Sequence, residues 1–385
     1  MDTKPNVITI SYGRHLFDTN NVEFKRHRLI AQSLGKLDMV VFTLRHERFE
    51  RTEGDSNFVI HPTNSRHKLL MPFDACKVAA NIIRTSTSKP IVTTQDPATA
   101  GLVGWLLKKR YHVQLVVQEH CDILSTPFWK KESTKNLIEY YVSIFVVRRA
   151  DIIRTVAKRI EAAMRHVGAT APVTQLPVAL DAAPFLAADT ARPHERATFE
   201  YVSVTRFVKQ KNLPLLIQAF AAAYRADSRL RLTLVGKGSE EMVVRAEIAK
   251  QFPPATTPEP PITIKPWTDD VPSLFKNADA YVLSSNYEGW GRVLIEAAAA
   301  GLPIVTTDVG CVGEVIFHKQ HALVVPLNNQ SALTSALLQL AHDDALYQKL
   351  VAGERALVAA GLPGTDIEHY GVAWRNTLSV VAHTE

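Results

Sequence analysis

The sequence predicts an α/β protein built from two domains with parallel sheets. Three observations carry this expectation. At 385 residues the chain exceeds one ordinary core. Short β-rich apolar runs alternate with amphipathic stretches in both halves, as in βα units. Between the halves lies AAPFLAADTARPHERA (182–197), rich in Ala, Pro and charge without a core period, which reads as a linker.

Taken in order, VITISY (7–12), MVVFTL (39–44), PIVTTQ (90–95) and VQLVVQ (113–118) are expected strands of a first domain. Between the first two, Val22, Leu29, Ile30 and Leu34 fall near helical period before Gly35, predicting a helix with a glycine stop. DIIRTVAKRIEAAMRHVG (151–168) reads as a strand and then a helix, and TQLPVAL leads to Asp181, where the first domain closes. A second series follows: FEYVSVT (199–205), a helix over 213–225, RLTLVG (231–236), a helix to Lys250, PITIKPW (261–267), AYVLSS (280–285), a helix from about Arg292, and PIVTTD (303–308). QFPPATTPEPP (251–261) is expected to be an exposed loop. The expected boundaries are 1–185, 198–365 and a tail at 366–385.

With 46% hydrophobic and 21% charged residues the chain has material for packed cores, and the composition is not that of a disordered segment. No apolar run reaches the length of a bilayer span, and MDTKPNVITISYG carries only a first strand's apolar stretch, so the expected compartment is the cytoplasm. Cys76, Cys121 and Cys311 are odd in number and far apart, suggesting neither a disulfide framework nor a zinc site. Charge is uneven: residues 1–185 hold 26 basic and 17 acidic residues, and 186–385 hold 18 and 21. A basic first half suits phosphate-rich partners or peripheral contact with an anionic membrane face, and it equally suits a solvated surface. With no aromatic RNA-binding signature or helix-turn-helix pattern, nucleic acid is not an expected partner. The segment 128–149, with Phe128, Trp129, Lys130 and Lys131, fits a membrane-resting helix or one that packs one face on the core; the second is expected.

The most informative stretch is YEGWGRVLIEAAAAGLPIVTTDVG (287–310). It sets a Gly-x-Gly turn, Gly289 to Gly291, at the entry to an Ala-rich helix, where unpaired N–H groups and the helix dipole favour bound phosphate. Gly289, Trp290, Gly291, Arg292 and Val293 form this candidate diphosphate cradle. Glu288 and Glu296 bracket it, and a carboxylate can accept hydrogen bonds from both hydroxyls of a vicinal diol. Equally, Glu296 is a helix residue favoured by the dipole and Glu288 a turn residue. In VTRFVKQKN, Arg206 and Lys211 follow a strand end, where ligands of open α/β sheets bind, although each alone also reads as a surface charge. Gly236 and Gly238 end another strand and permit close backbone approach. In the first domain Gly13 follows the first strand, and His120 ends a strand with an imidazole able to handle a proton near neutral pH; a lone histidine is also compatible with a structural role. With no GxGxxG after the first strand, a dinucleotide-binding reading loses support.

Together these residues resemble the retaining glycosyltransferases of family 4. The resemblance implies a GT-B architecture, two Rossmann-like domains with parallel sheets facing across a cleft, with a C-terminal helix crossing back to the first domain. It implies that Arg206 and Lys211 meet the donor diphosphate, that Glu288 holds the transferred sugar and Glu296 the ribose, and that His120 stands beside sugar and acceptor. A nucleoside-diphosphate sugar, UDP- or GDP-linked, is the implied donor, a glycan or lipid-linked molecule the acceptor, and no metal or other cofactor is implied. The chain departs from the family in the first βα loop, which has Gly13 followed by Arg14 in place of paired glycines, and at Gly310–Cys311, where a second glycine is usual. The competing expectations are an epimerase or hydrolase of nucleotide sugars and a non-catalytic carbohydrate- or nucleotide-binding protein.

Overall fold

The computed structural model describes residues 4–188, 197–253 and 259–379. Residues 189–196 of the expected linker, 254–258 of the expected loop and 380–385 of the tail lie outside the described residues. The chain divides into two compact units, Met1–Ala179 with Asp366–Glu385, and Leu180–Thr365.

In the first unit the strands are β1 (Asn6–Ser11), β2 (Lys36–Val41), β3 (Thr52–Asp55), β4 (Phe58–Pro62), β5 (Ile91–Thr94), β6 (Leu115–Glu119), β7 (Ile152–Thr155) and β8 (Val173–Gln175). They form one sheet in the order β3-β4-β2-β1-β5-β6-β7-β8, parallel except for the β3–β4 pair. β6 and β7 are buried at every position, and each opens on an apolar run, Leu115–Val117 and Ile152–Ile153, before polar residues at its carboxyl end.

Sequence and structure differ here in three places, each with a physical cause. β2 begins at Lys36, ahead of MVVFTL, because Asp38 interrupts the apolar run and is nonetheless buried, bonded to His61 Nε2 at 2.8 Å and to Lys36 at 3.2 Å. The β3–β4 hairpin was not anticipated; β3 is TEGD, which has no apolar alternation. Gly35 does not stop the helix Val22–Gln32, whose C-cap is Ser33. Its role is close approach: a Cβ there would stand 2.7 Å from the Lys4 carbonyl oxygen.

The helix Ile367–Asn376 belongs to the first unit and packs on the helix Val22–Gln32. Gly371 permits the approach, since a Cβ would meet Ser33 Oγ at 2.6 Å and Leu29 O at 2.9 Å. Tyr370 and Trp374 thereby join a core with Ile30 and Leu37.

In the second unit the strands are β9 (Phe199–Val204), β10 (Leu230–Val235), β11 (Ile262–Lys265), β12 (Ala280–Leu283), β13 (Ile304–Thr307) and β14 (Ala322–Val325). Their order is β11-β10-β9-β12-β13-β14, with every pairing parallel. The order reverses between β9 and β12, the crevice where such sheets take ligands. The helix Leu213–Ala226 buries Leu216, Ile217 and Phe220 on this sheet. Ala183–Leu186, inside the stretch whose composition suggests a linker, is a short helix with Phe185 buried and its ring 5.8 Å from that of Phe275. One large apolar residue, Phe185, docks this Ala-rich run, while Leu186 is exposed. Among the described residues no helix is long and apolar enough to cross a membrane. The helix Thr134–Val147 buries Val146 and Val147, while Leu137, Ile138 and Tyr141 are exposed.

Candidate active site

The loops leaving β9 and β12 are laced together at the order reversal. Asn286 N–H donates to Gln210 O at 2.8 Å, Ser284 Oγ–H to Lys211 O at 2.8 Å, and Gln210 Nε2–H to Tyr287 O at 2.9 Å. Asn212 Nδ2–H adds a bond to Asn286 Oδ1 at 3.0 Å. These links bring the Lys211 ammonium onto Glu288 Oε1, with side-chain exposures of 12% and 9%. The same oxygen accepts Ser285 Oγ–H at 2.6 Å, and Oε2 accepts a longer bond from Gln210 at 3.3 Å. A largely buried ion pair needs such added bonds to offset its desolvation. Glu288 Oε2 is thus the less heavily engaged oxygen.

Beyond Glu288, Gly289 and Trp290 are buried and Gly291 takes φ +76, a left-handed conformation that favours glycine. The turn opens directly into the helix Arg292–Ala299. It is pinned from the loop after β13: Cys311 N–H donates to Trp290 O at 2.9 Å. Gly310, at φ +58, lies so close that a Cβ would stand 2.5 Å from the same oxygen. The sequence departure at Gly310–Cys311 therefore keeps the one glycine that this contact requires. A helix's first turn leaves N–H groups without intrahelical partners, here at Arg292 and Val293. Glu296, 7% exposed, accepts from Arg292 Nε at 2.9 Å; burial raises its pKa and the Arg292 charge opposes the rise.

Gly236 presses the β10 exit against the β9 exit, since a Cβ would fall 1.9 Å from Thr205 O, and Gly238 is as close to Phe207 O at 2.2 Å. Arg206 follows Thr205 with its side chain exposed, and among the described residues it makes no ion pair. Lys211, Glu288 and the glycine turn are thus one assembly, with Arg206 and Gly236 at the neighbouring strand ends.

Gly13 and His120 belong to the first unit, at the carboxyl ends of β1 and β6. Gly13 N–H donates to Ser11 Oγ at 2.9 Å. Arg14, which follows it, turns to Phe42 O at 3.1 Å and Glu47 at 2.7 Å. His120 lines a cavity of about 400 Å³ with Arg26, His27 and Arg154. Burial, then the charges of Arg154 and Arg26, hold its pKa well below the ordinary value. Its imidazole is neutral at physiological pH.

Sequence reasoning missed Gln210, Ser285 and Thr307, whose Oγ1–H donates to Ser285 O at 2.7 Å. The small polar run SSN after β12 was the available signal. It also missed Arg154, although an arginine inside the apolar strand IIRT is itself a departure.

Residues 189–356 match the family of glycosyl transferases group 1. Over 160 residues the chain is 31% identical to the D-inositol 3-phosphate glycosyltransferase of Pseudarthrobacter chlorophenolicus, covering 38% of this chain and 36% of that one. The chain spans less than half the length of the curated relatives it matches. Solved structures match almost throughout. Sucrose-phosphate synthase from Thermosynechococcus elongatus superimposes with a TM-score of 0.78 at 18% identity, over 97% of this chain and 99% of that one. Anabaena Alr3699/HepE in complex with UDP and glucose gives 0.71 at 16% identity, over 98% and 100%. The fold is GT-B.

Proposed function

We propose that the protein is a retaining, metal-independent glycosyltransferase of family 4. It moves a sugar from a UDP- or GDP-linked donor to a glycan or lipid-linked acceptor in envelope polysaccharide or glycoconjugate synthesis. The observation that carries the reading is the Lys211–Glu288 pair at the β9/β12 reversal, directly before the glycine turn of the helix Arg292–Ala299. That the solved neighbour from Anabaena holds UDP and glucose supports a donor of this class.

In this reading negative charge builds on the departing diphosphate as the glycosidic bond breaks. Arg206, the Lys211 ammonium and the N–H groups of Gly291 to Val293 stabilise it, being already oriented before reaction. Glu288 accepts hydroxyls of the transferred sugar through Oε2, and its ion pair keeps Lys211 in place beside them. Glu296 accepts the ribose hydroxyls, Gly236 lets the backbone approach the nucleotide, Gly13 belongs to the donor-binding set, and the neutral His120 serves the transferred sugar and acceptor. The acceptor hydroxyl enters on the face from which the diphosphate leaves and passes its proton to it, so that configuration is retained. The cytoplasmic face of a membrane is the proposed working place, with the basic first half as the contact surface.

The test is direct. A nucleoside diphosphate should raise the melting temperature of the full chain, because a ligand that binds only the folded state stabilises it. With the matching donor, Glu288→Gln should lower kcat/KM by about 10²–10³-fold, the usual effect of removing one transition-state contact. Release of free sugar or an epimer without acceptor, at the same rate as with one, would overturn transfer. Unchanged activity in Glu288→Gln would overturn the site.

A further inference from the structure

We propose that the cavity of the first unit is an oxyanion site, built around Arg154 and Arg26, that takes the phosphomonoester group of a small sugar- or polyol-phosphate acceptor. This replaces the glycan or lipid-linked acceptor of the transferase reading with a small phosphorylated one, and rests on that reading only in calling the ligand an acceptor.

The cavity of about 400 Å³ is of a size for a small hydroxylated molecule. What sets it apart is Arg154. It is 2% exposed within β7, and every acceptor it has is neutral: Gln118 Oε1 at 2.5 Å, and Leu176 O and Tyr370 Oη at 2.9 Å each. Its Nε–H has no acceptor among the described residues. A guanidinium stays protonated in proteins, so this is a buried cation without a counter-ion, an arrangement that costs stability unless an anion completes it.

The rest of the lining points the same way. Arg26 comes from the helix Val22–Gln32 and pairs with Glu23 through one nitrogen, leaving donors over. Glu23 is the one carboxylate on the wall against two guanidiniums. His27 Nδ1–H donates to Glu23 O at 2.8 Å and Nε2 accepts from Gln95 at 3.3 Å, which fixes a neutral tautomer. Burial and the Arg26 charge hold its pKa down at about 4. Arg26 and Arg154 thus supply the fixed positive charge of a wall that His15 also lines. Three terminal phosphate oxygens suit two guanidiniums better than the two oxygens of a carboxylate, and Gln95 and Thr9 offer partners for hydroxyls. Tyr370 and Trp374 supply an apolar wall for a sugar face.

Isothermal titration of the full chain with glucose 6-phosphate, inositol 1-phosphate and glycerol 3-phosphate tests this, with glucose and inorganic phosphate as controls. At least one phosphomonoester should bind tenfold or more tightly than either control. Arg154→Met should weaken it at least tenfold. Because Arg154 also holds Tyr370, Arg26→Gln is the second variant and should give the same loss in a chain with unchanged melting temperature. Equal binding of glucose, no binding by any of the three phosphomonoesters, or full binding in both variants overturns the proposal. UDP and GDP titrated in parallel separate the two readings: nucleotide binding without phosphomonoester binding sinks this proposal alone, and the reverse sinks the donor site alone.

Discussion

Glu354, in the helix Asp344–Ala359, is fully buried, and neither carboxylate oxygen has a partner among the described residues. Burial therefore pushes its pKa well above the ordinary carboxylate value, so the folded chain holds this proton to higher pH than the unfolded chain does. The unfolded chain ionises first as pH rises, the folded state then binds more protons, and stability falls between the two pKa values. Glu354→Leu should remove that decline and add about 1–3 kcal/mol near neutral pH, the cost of an unmet buried polar group. Denaturant titrations of the second unit from pH 4.5 to 7.5 would read both effects; a parallel decline in the variant would refute the assignment. No feature of LVAGERALVA announces this residue, because a helical pattern marks a position as inward without saying whether its neighbours can bond. The same limit applies at Glu288. Its letters, with those of Lys211, placed both at strand ends, but their direct pairing depends on hydrogen bonds between loops 73 to 78 residues apart.

At the scale of elements, glycines decide how closely strand exits approach. Gly236 takes φ +157 and leaves no room for a Cβ beside Thr205 O. Gly236→Ala should therefore push the β10 exit away from Arg206, cost about 1–3 kcal/mol of stability, and weaken nucleoside-diphosphate binding tenfold or more. Melting temperature and titration calorimetry would check both; wild-type binding would show that the approach does not serve the ligand. Most strands were legible, because parallel strands buried on two faces carry apolar runs, as Leu115–Val117 of β6 and Ile152–Ile153 of β7 do. β3 was not legible, since TEGD is half exposed and gains its conformation from pairing with β4. The short helix Ala183–Leu186 was hidden for a related reason: four residues are too few to show a period, and Phe185 acquires its meaning only from Phe275.

For the whole molecule, the division into two α/β units follows from length and alternation, which are properties of the entire chain. The membership of the C-terminal helix in the first unit does not follow from its own pattern. Trp374 is 5% exposed in a core that includes Phe24, Leu37 and Ile152, residues more than two hundred positions earlier. Trp374→Ala should destabilise the first unit by about 3–5 kcal/mol and leave the second unchanged. Differential scanning calorimetry would then show the first unit's transition move to lower temperature while a nucleoside diphosphate still shifts the second. Equal movement of both transitions would mean that the helix stabilises the chain as one body.

The return of residues 366–379 to the first unit also orders events on the ribosome. Domains generally close as they emerge, the earliest first. Here the opening unit waits for a helix that is translated after the whole of Leu180–Thr365. The second unit is therefore free to finish while Ile30 and Leu37 still lack Tyr370 and Trp374 as cover, which leaves apolar surface of the nascent first unit open to water until the last helix is made.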